Sequence, residues 1–107
     1  MITVACSADR DGWLCEVRIG DDPEATRHQV TVSDEDLARL APGGTSVEGV
    51  VEASFVFLLE REPREAILPQ FDLPVIARYF PEYEGEIRRR VRVAPRESAE
   101  VYEQGSS

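Results

Sequence analysis

Residues 45–81 read TSVEGVVEASFVFLLEREPREAILPQFDLPVIARYFP, and the reading of this stretch decides the fold. It holds all four phenylalanines of the chain and its longest apolar run. Val47, Val50, Val51, Phe55, Leu58 and Leu59 recur at i, i+3, i+4, i+8, i+11 and i+12, the spacing of one helix face. Thr45 to Glu48 fits a capping box, with Thr45 as N-cap and the Glu48 carboxylate reaching back to its N–H. Val50, Val51, Phe55, Val56 and Phe57 are strand formers and argue the other way. Cap, length and spacing together decide for a helix over about 46–61. Phe57 and Val56 fall off the main stripe, so a second layer or a partner must cover Phe57.

Downstream, proline sets the punctuation. Pro63 disfavours helical geometry at Glu62 and ends the long helix. Residues 63–68 make room for a single turn, closed by Pro69. Asp72 then reads as the cap of a helix over about 73–80, with Pro74 tolerated in its first turn. Pro81 breaks it, and a last helix follows over about 82–92, with Tyr83, Ile87 and Val91 on one side. Residues 96–107 are polar and read as a flexible tail, leaving 1–95 as one domain.

Upstream, residues 2–8 and 13–19 alternate with Ile2, Val4, Cys6 and Ala8 on one face, matched by Trp13, Cys15, Val17 and Ile19. Asp9 to Gly12 is a hairpin turn. A tip at Asp11-Gly12 sets Cys6 opposite Val17, whereas a four-residue turn sets Cys6 opposite Cys15. Both keep the apolar residues together; a three-residue turn does not. His28, Val30 and Val32 share one face of a third strand over about 27–32. Ser33 caps a short helix over about 34–40, its hydroxyl accepting from Asp36 N–H. The fold class expected is therefore α+β, a three-stranded antiparallel meander closed on one face by a C-terminal helical layer.

The pattern LLEREP…IL..FDL..I..YFPEYE…I over residues 58–87 resembles that of a family of small uncharacterised bacterial proteins. It is carried by Leu58, Glu60, Pro63, Phe71, Asp72, Tyr79, Pro81 and Tyr83, and the resemblance implies no activity. The strand–strand–strand–helix order is similar in topology to antitoxins of the HicB type, whose central Pro-Asp-Leu-Pro-Gly motif is absent here.

At 107 residues the chain has room for one core. No apolar run approaches the roughly 20 residues of a membrane span, and no leader pattern opens the chain, so a cytoplasmic, non-membrane protein is expected. Net charge is −9, which disfavours nucleic acid and acidic surfaces and favours basic partners. The excess is concentrated: residues 1–60 hold 12 acids and 4 arginines, and residues 61–107 hold 9 acids and 8 arginines.

Three constellations of side chains could carry chemistry. Cys6, Cys15 and His28 share the inner sheet face and are candidate zinc ligands, but their spacing fits no compact zinc pattern. Packed thiols beside an edge histidine are expected instead, reduced as in a cytoplasm, with no metal or cofactor. Glu60, Glu62 and Glu65 alternate with Arg61 and Arg64, which suits exposed ion pairs such as Glu60–Arg64 better than an acid–base dyad. Arg88, Arg89, Arg90, Arg92 and Arg96 form the one basic cluster, with Tyr79, Tyr83 or Tyr102 as stacking groups if nucleic acid binds. Glu84 and Glu86 stand ready to pair with Arg88 and Arg90.

No nucleophile, phosphate loop or acid–base pair in a cleft is visible, so the chain is read as a non-enzymatic protein-binding or adaptor module. Phe57, Tyr79, Pro81, Tyr83, Arg88, Arg89, Arg90 and Arg92 are its interaction candidates. The partner is another protein, or a second copy that buries Phe57 and Tyr83 or pairs the free sheet edge. An antitoxin or immunity protein facing a basic toxin is the alternative, and a weak nucleic-acid binder the second. Val51→Asp is expected to unfold the domain by burying an unpaired charge, read as loss of far-UV circular dichroism and of a cooperative melt. A soluble, cooperatively folding variant overturns the helix assignment.

Overall fold

A computed structural model describes residues 1–91. Three antiparallel strands come first: β1 Ile2–Asp9, β2 Gly12–Ile19 and β3 Thr26–Ser33. Of the two hairpin registers left open by the sequence, the chain adopts the one that sets Cys6 opposite Cys15 and Asp9 opposite Gly12. Arg10 takes the left-handed conformation at the tip, with φ 43°. Gly12 has a different task from the turn role its Asp-Gly context suggests. A Cβ there would stand 2.2 Å from the Val32 carbonyl oxygen of β3, so the glycine permits close strand approach.

Cys6 and Cys15 are joined in a disulfide, which corrects the expectation of two reduced thiols. The reason is the register, which leaves the two side chains facing each other on the same side of the sheet. Cys15, Val17, Ile19, His28, Val30 and Val32 line the buried face.

Helix α1 spans Asp34–Leu40. Ser33 Oγ accepts from Asp36 N–H at 3.0 Å, and Asp36 Oδ2 accepts from Ser33 N–H at 3.4 Å, a full capping box where only the first bond was expected. Helix α2 spans Val47–Leu59, with Ser46 rather than Thr45 at its N-cap. Ser46 Oγ accepts from Gly49 N–H at 3.1 Å, while the Thr45 hydroxyl donates to the Val91 carbonyl at 3.3 Å. Val47, Val50, Val51, Phe55 and Leu58 are all buried, as the helical spacing requires.

Past Pro63 the chain makes one 3₁₀ turn, Arg64–Ala66, and then a fourth strand the alternation pattern does not announce. This β4, Gln70–Asp72, runs parallel to β3 and makes the sheet mixed, in the order β1-β2-β3-β4. Gln29 N–H donates to the Pro69 carbonyl at 2.8 Å, and Leu73 N–H to the Thr31 carbonyl at 2.9 Å. The Asp72 carboxylate accepts from the Thr31 hydroxyl. It therefore belongs to the sheet edge and does not cap the next helix. Helix α3 is consequently short, Val75–Tyr79, with Pro74 at its start and no side-chain cap. Residues 83–91 form the last described helix, α4. The expected continuation to 92, and the tail, lie outside the described residues.

Sheet and helices enclose one core in which α2 is buried from two sides. Phe55 lies toward the sheet, 5.5 Å from the His28 ring and 6.0 Å from Phe71. Phe57 lies toward the helical layer, edge-on to Phe80 at 5.9 Å and Tyr83 at 5.4 Å. Buried Ser54 joins the two: its hydroxyl donates to the Val50 carbonyl at 2.8 Å and accepts from the Tyr83 phenol at 2.7 Å. Burial pushes the Tyr83 phenol far above its usual pKa, so it is a neutral donor. No helix among the described residues is long and apolar enough to cross a membrane.

Ser54→Ala leaves the phenol of Tyr83 buried without an acceptor and is expected to cost about 1–3 kcal/mol. Tyr83→Phe spares the Ser54–Val50 bond and is expected to cost less. Urea melts with an unchanged slope check the order, and equal or inverted losses count against the assigned donor direction.

Candidate functional site

The aromatic candidates named from the sequence separate into two classes. Phe57 and Tyr83 are core residues with no exposed surface, so they are not on offer to a partner. The physical reason is the second layer: α4 covers Phe57 from one side, and the Arg61 guanidinium lies 3.7 Å over its ring. Tyr79, in contrast, is 67 % exposed, and Pro81 is exposed at the turn between α3 and α4.

Tyr79 stands at one wall of an apolar groove of about 240 Å³. The end of α2 supplies Leu58 and Glu62, and the 3₁₀ turn brings Ala66 and then Ile67 and Leu68. Phe71 of β4 and Val75, Ile76 and Phe80 from the α3 region complete the lining. Leu68, between the 3₁₀ turn and Pro69, is 45 % exposed beside this apolar lining. Prolines 63, 69 and 74 set the bends that wrap this segment around the groove. Glu62 is its one charged lining residue. Such a site can receive an apolar side chain and hold a cation at its mouth.

His28 fixes the groove from beneath. A carbonyl can only accept, so His28 Nδ1–H donates to Leu68 O at 2.9 Å. Nε2 is then left to accept from the Thr26 hydroxyl at 3.1 Å. Both ring nitrogens are thus engaged, and the two cysteines bond each other, so Cys6, Cys15 and His28 are committed elsewhere than to a metal. Among the described residues no group of three or more His, Cys, Asp or Glu side chains converges on a metal position.

The arginine cluster is held within the chain. Arg90 reaches Glu60 at 2.8 Å and Glu86 at 3.2 Å, Arg89 bonds Glu86, and Arg88 lies 4.0 Å from Glu84. Arg61 joins Glu60 and Glu82, both at 3.2 Å, and Arg39 joins Glu84 at 3.1 Å. The expected Glu60–Arg64 pair does not form. Arg64 donates instead to the Ile19 carbonyl at 3.0 Å and reaches Glu65 at 3.4 Å. Arg88, Arg89 and Arg90 are therefore neutralised by their own helix and by α2, while Arg92 and Arg96 lie outside the described residues. A wider, open basin of about 430 Å³ is lined by residues such as Thr3, Ala5, Glu16 and Gln29, and its Arg18 and Arg27 both reach Asp22.

The sequence marks Tyr79 and Pro81 as interaction candidates at a helix break, and leaves open which aromatics there are core and which exposed. Leu68, Ala66, Val75 and Ile76 were not singled out, because the groove arises from β4, and a three-residue strand leaves no alternation to read. Comparison with protein-family models, with curated proteins and with solved structures finds no match to this chain.

Hydrogen bonds from Arg90 and from Arg89 hold the Glu60 and Glu86 carboxyls below their usual pKa of 4.5. A depressed carboxylate contributes stability above its unfolded pKa, and that contribution is lost as pH falls through the folded value. The melting temperature is therefore expected to drop on acidification below about pH 4.5, and less steeply in Glu60→Gln. Thermal melts across this range check it; an unchanged slope in the variant removes Glu60 from the account.

Proposed function

We propose that this chain is a non-enzymatic protein-binding module whose groove between the end of α2, residues 64–71 and α3 receives an apolar anchor of a partner polypeptide. The observation that carries the reading is the pairing of an apolar groove with Leu68 and Tyr79 exposed at its walls. Large apolar side chains left in water beside a concave apolar surface are the usual marks of a docking site. The charge supports the choice of partner. With a net charge of −9 and Glu62 lining the groove, an anchor flanked by basic residues is favoured over an acidic one.

The internal pairing of Arg88, Arg89 and Arg90 lowers the standing of the nucleic-acid reading, since each guanidinium would have to leave a carboxylate to meet a phosphate. The protein is read as cytoplasmic.

Selection of displayed peptides on the wild-type protein is expected to enrich leucine or aromatic anchors next to arginine or lysine. Burying one such side chain is worth about 1.5–3 kcal/mol. Leu68→Asp and Tyr79→Ser are therefore each expected to weaken selected binders by roughly tenfold or more, with the melt of the domain unchanged. Binders that hold both variants as tightly as the wild type overturn the groove as the site.

A further inference from the structure

Strand β1 is the edge of the sheet, and the direction of its free backbone groups follows from one bond. Gly20 N–H donates to the Met1 carbonyl at 2.9 Å, so the Met1–Gly20 pair is a hydrogen-bonded one. Antiparallel pairs alternate, and the same ladder therefore engages Thr3, Ala5, Ser7 and Asp9 with β2. Ile2, Val4, Cys6 and Ala8 occupy the other pairs, and their N–H and C=O groups point away from β2. None of these groups has a backbone partner among the described residues.

Edge strands are ordinarily blunted by charge, proline or a bulge. Residues 2–8, ITVACSA, carry none of these and no glycine. Ile2, Val4 and Cys6 are packed against the core yet only partly buried, so the edge is apolar on its inner side. The order of residues also bears on the occupant. About Ala5 the alternation is symmetric: Thr3 mirrors Ser7, both hydroxyl residues, and the apolar Ile2 and Val4 mirror the smaller Ala8 and Cys6.

We infer that β1 pairs antiparallel with β1 of a second copy of this chain, about a two-fold axis at Ala5. In that register Ile2 and Val4 exchange backbone hydrogen bonds with Ala8 and Cys6 of the other copy, using the outward groups on both strands. Thr3 meets Ser7 and Ala5 meets Ala5 on the outer face, and no charged residue is placed opposite another within 2–8. Like sides meet across the axis, so the two four-stranded sheets become one continuous sheet with both helical layers on the same face. A different register loses outward pairs at one end, and an unrelated strand lacks the mirrored order. The occupant is therefore a second copy, and this surface is independent of the groove.

Ala5→Lys tests the axis. Ala5 is exposed and lies opposite Glu16 in the β1–β2 register, so lysine is compatible with the fold. Across the axis it sets two like charges directly opposite each other. Light scattering with size-exclusion chromatography of the full chain is expected to give twice the chain mass for the wild type and the single mass for Ala5→Lys, with identical circular dichroism. Amide exchange followed by NMR supplies the register. The Val4, Cys6 and Ala8 amides are expected to be protected in the wild type and to exchange freely in the variant, while Thr3, Ala5 and Ser7 stay protected in both. A wild type that is monomeric at all concentrations, or a dimer whose Val4, Cys6 and Ala8 amides exchange freely, overturns the inference.

Discussion

The burial of α2 from two sides is the constraint on which the rest of the molecule depends. A helix with a sheet on one flank and another helix on the other must carry apolar residues over most of its circumference. Phe55 serves the sheet side and Phe57 the helical layer, with Val50 and Val51 fully buried as well. The sequence places a serine, Ser54, between these faces, where no water is available to it. A buried hydroxyl must find partners inside, and it finds the Val50 carbonyl one turn back and the Tyr83 phenol. That requirement fixes the start of α4 over α2, and with it the line of carboxylates that Arg61 and Arg90 bridge.

This bridging bears on what the surface can do. Arg61 with Glu82 and Arg90 with Glu60 tie the end of α2 to α4 at the rim of the core, Arg89 pairs with Glu86 along α4 itself, and Arg61 also roofs the Phe57 ring. Single exposed ion pairs contribute little, but here they share partners and stand over an aromatic core. Among the described residues of the arginine cluster, Arg88 and Arg89 pair along α4 and Arg90 also reaches across to Glu60. Under the proposals above, recognition falls to apolar features: the groove walled by Leu68 and Tyr79, and the uncharged edge of β1.

Much of the fold was legible where periodicity is long. The three strands, α1 and α2 follow from alternation, helical spacing and the Ser33 cap, and the need for a second layer over Phe57 was visible from its position off the stripe. The misses share a physical origin in competition between neighbours with similar chemistry. Thr45 and Ser46 are both capable caps, and the choice was made by Val91, whose carbonyl takes the Thr45 hydroxyl. Asp72 is a good cap by composition, but Thr31 lies beside it only once β4 has joined the sheet. The groove was half legible. Tyr79 stands out by itself, whereas Leu68 is placed by a hydrogen bond from His28, forty residues earlier in the chain.

The bond between Cys6 and Cys15 closes the hairpin tip into a covalent ring, with the exposed Arg10 and Asp11 at its outermost point. While that bond is formed, a backbone cut between those two residues would leave β1 tied to β2 through sulfur. The tip is thus a place where the chain can be opened, given new ends or interrupted by an inserted segment while the sheet edge stays attached.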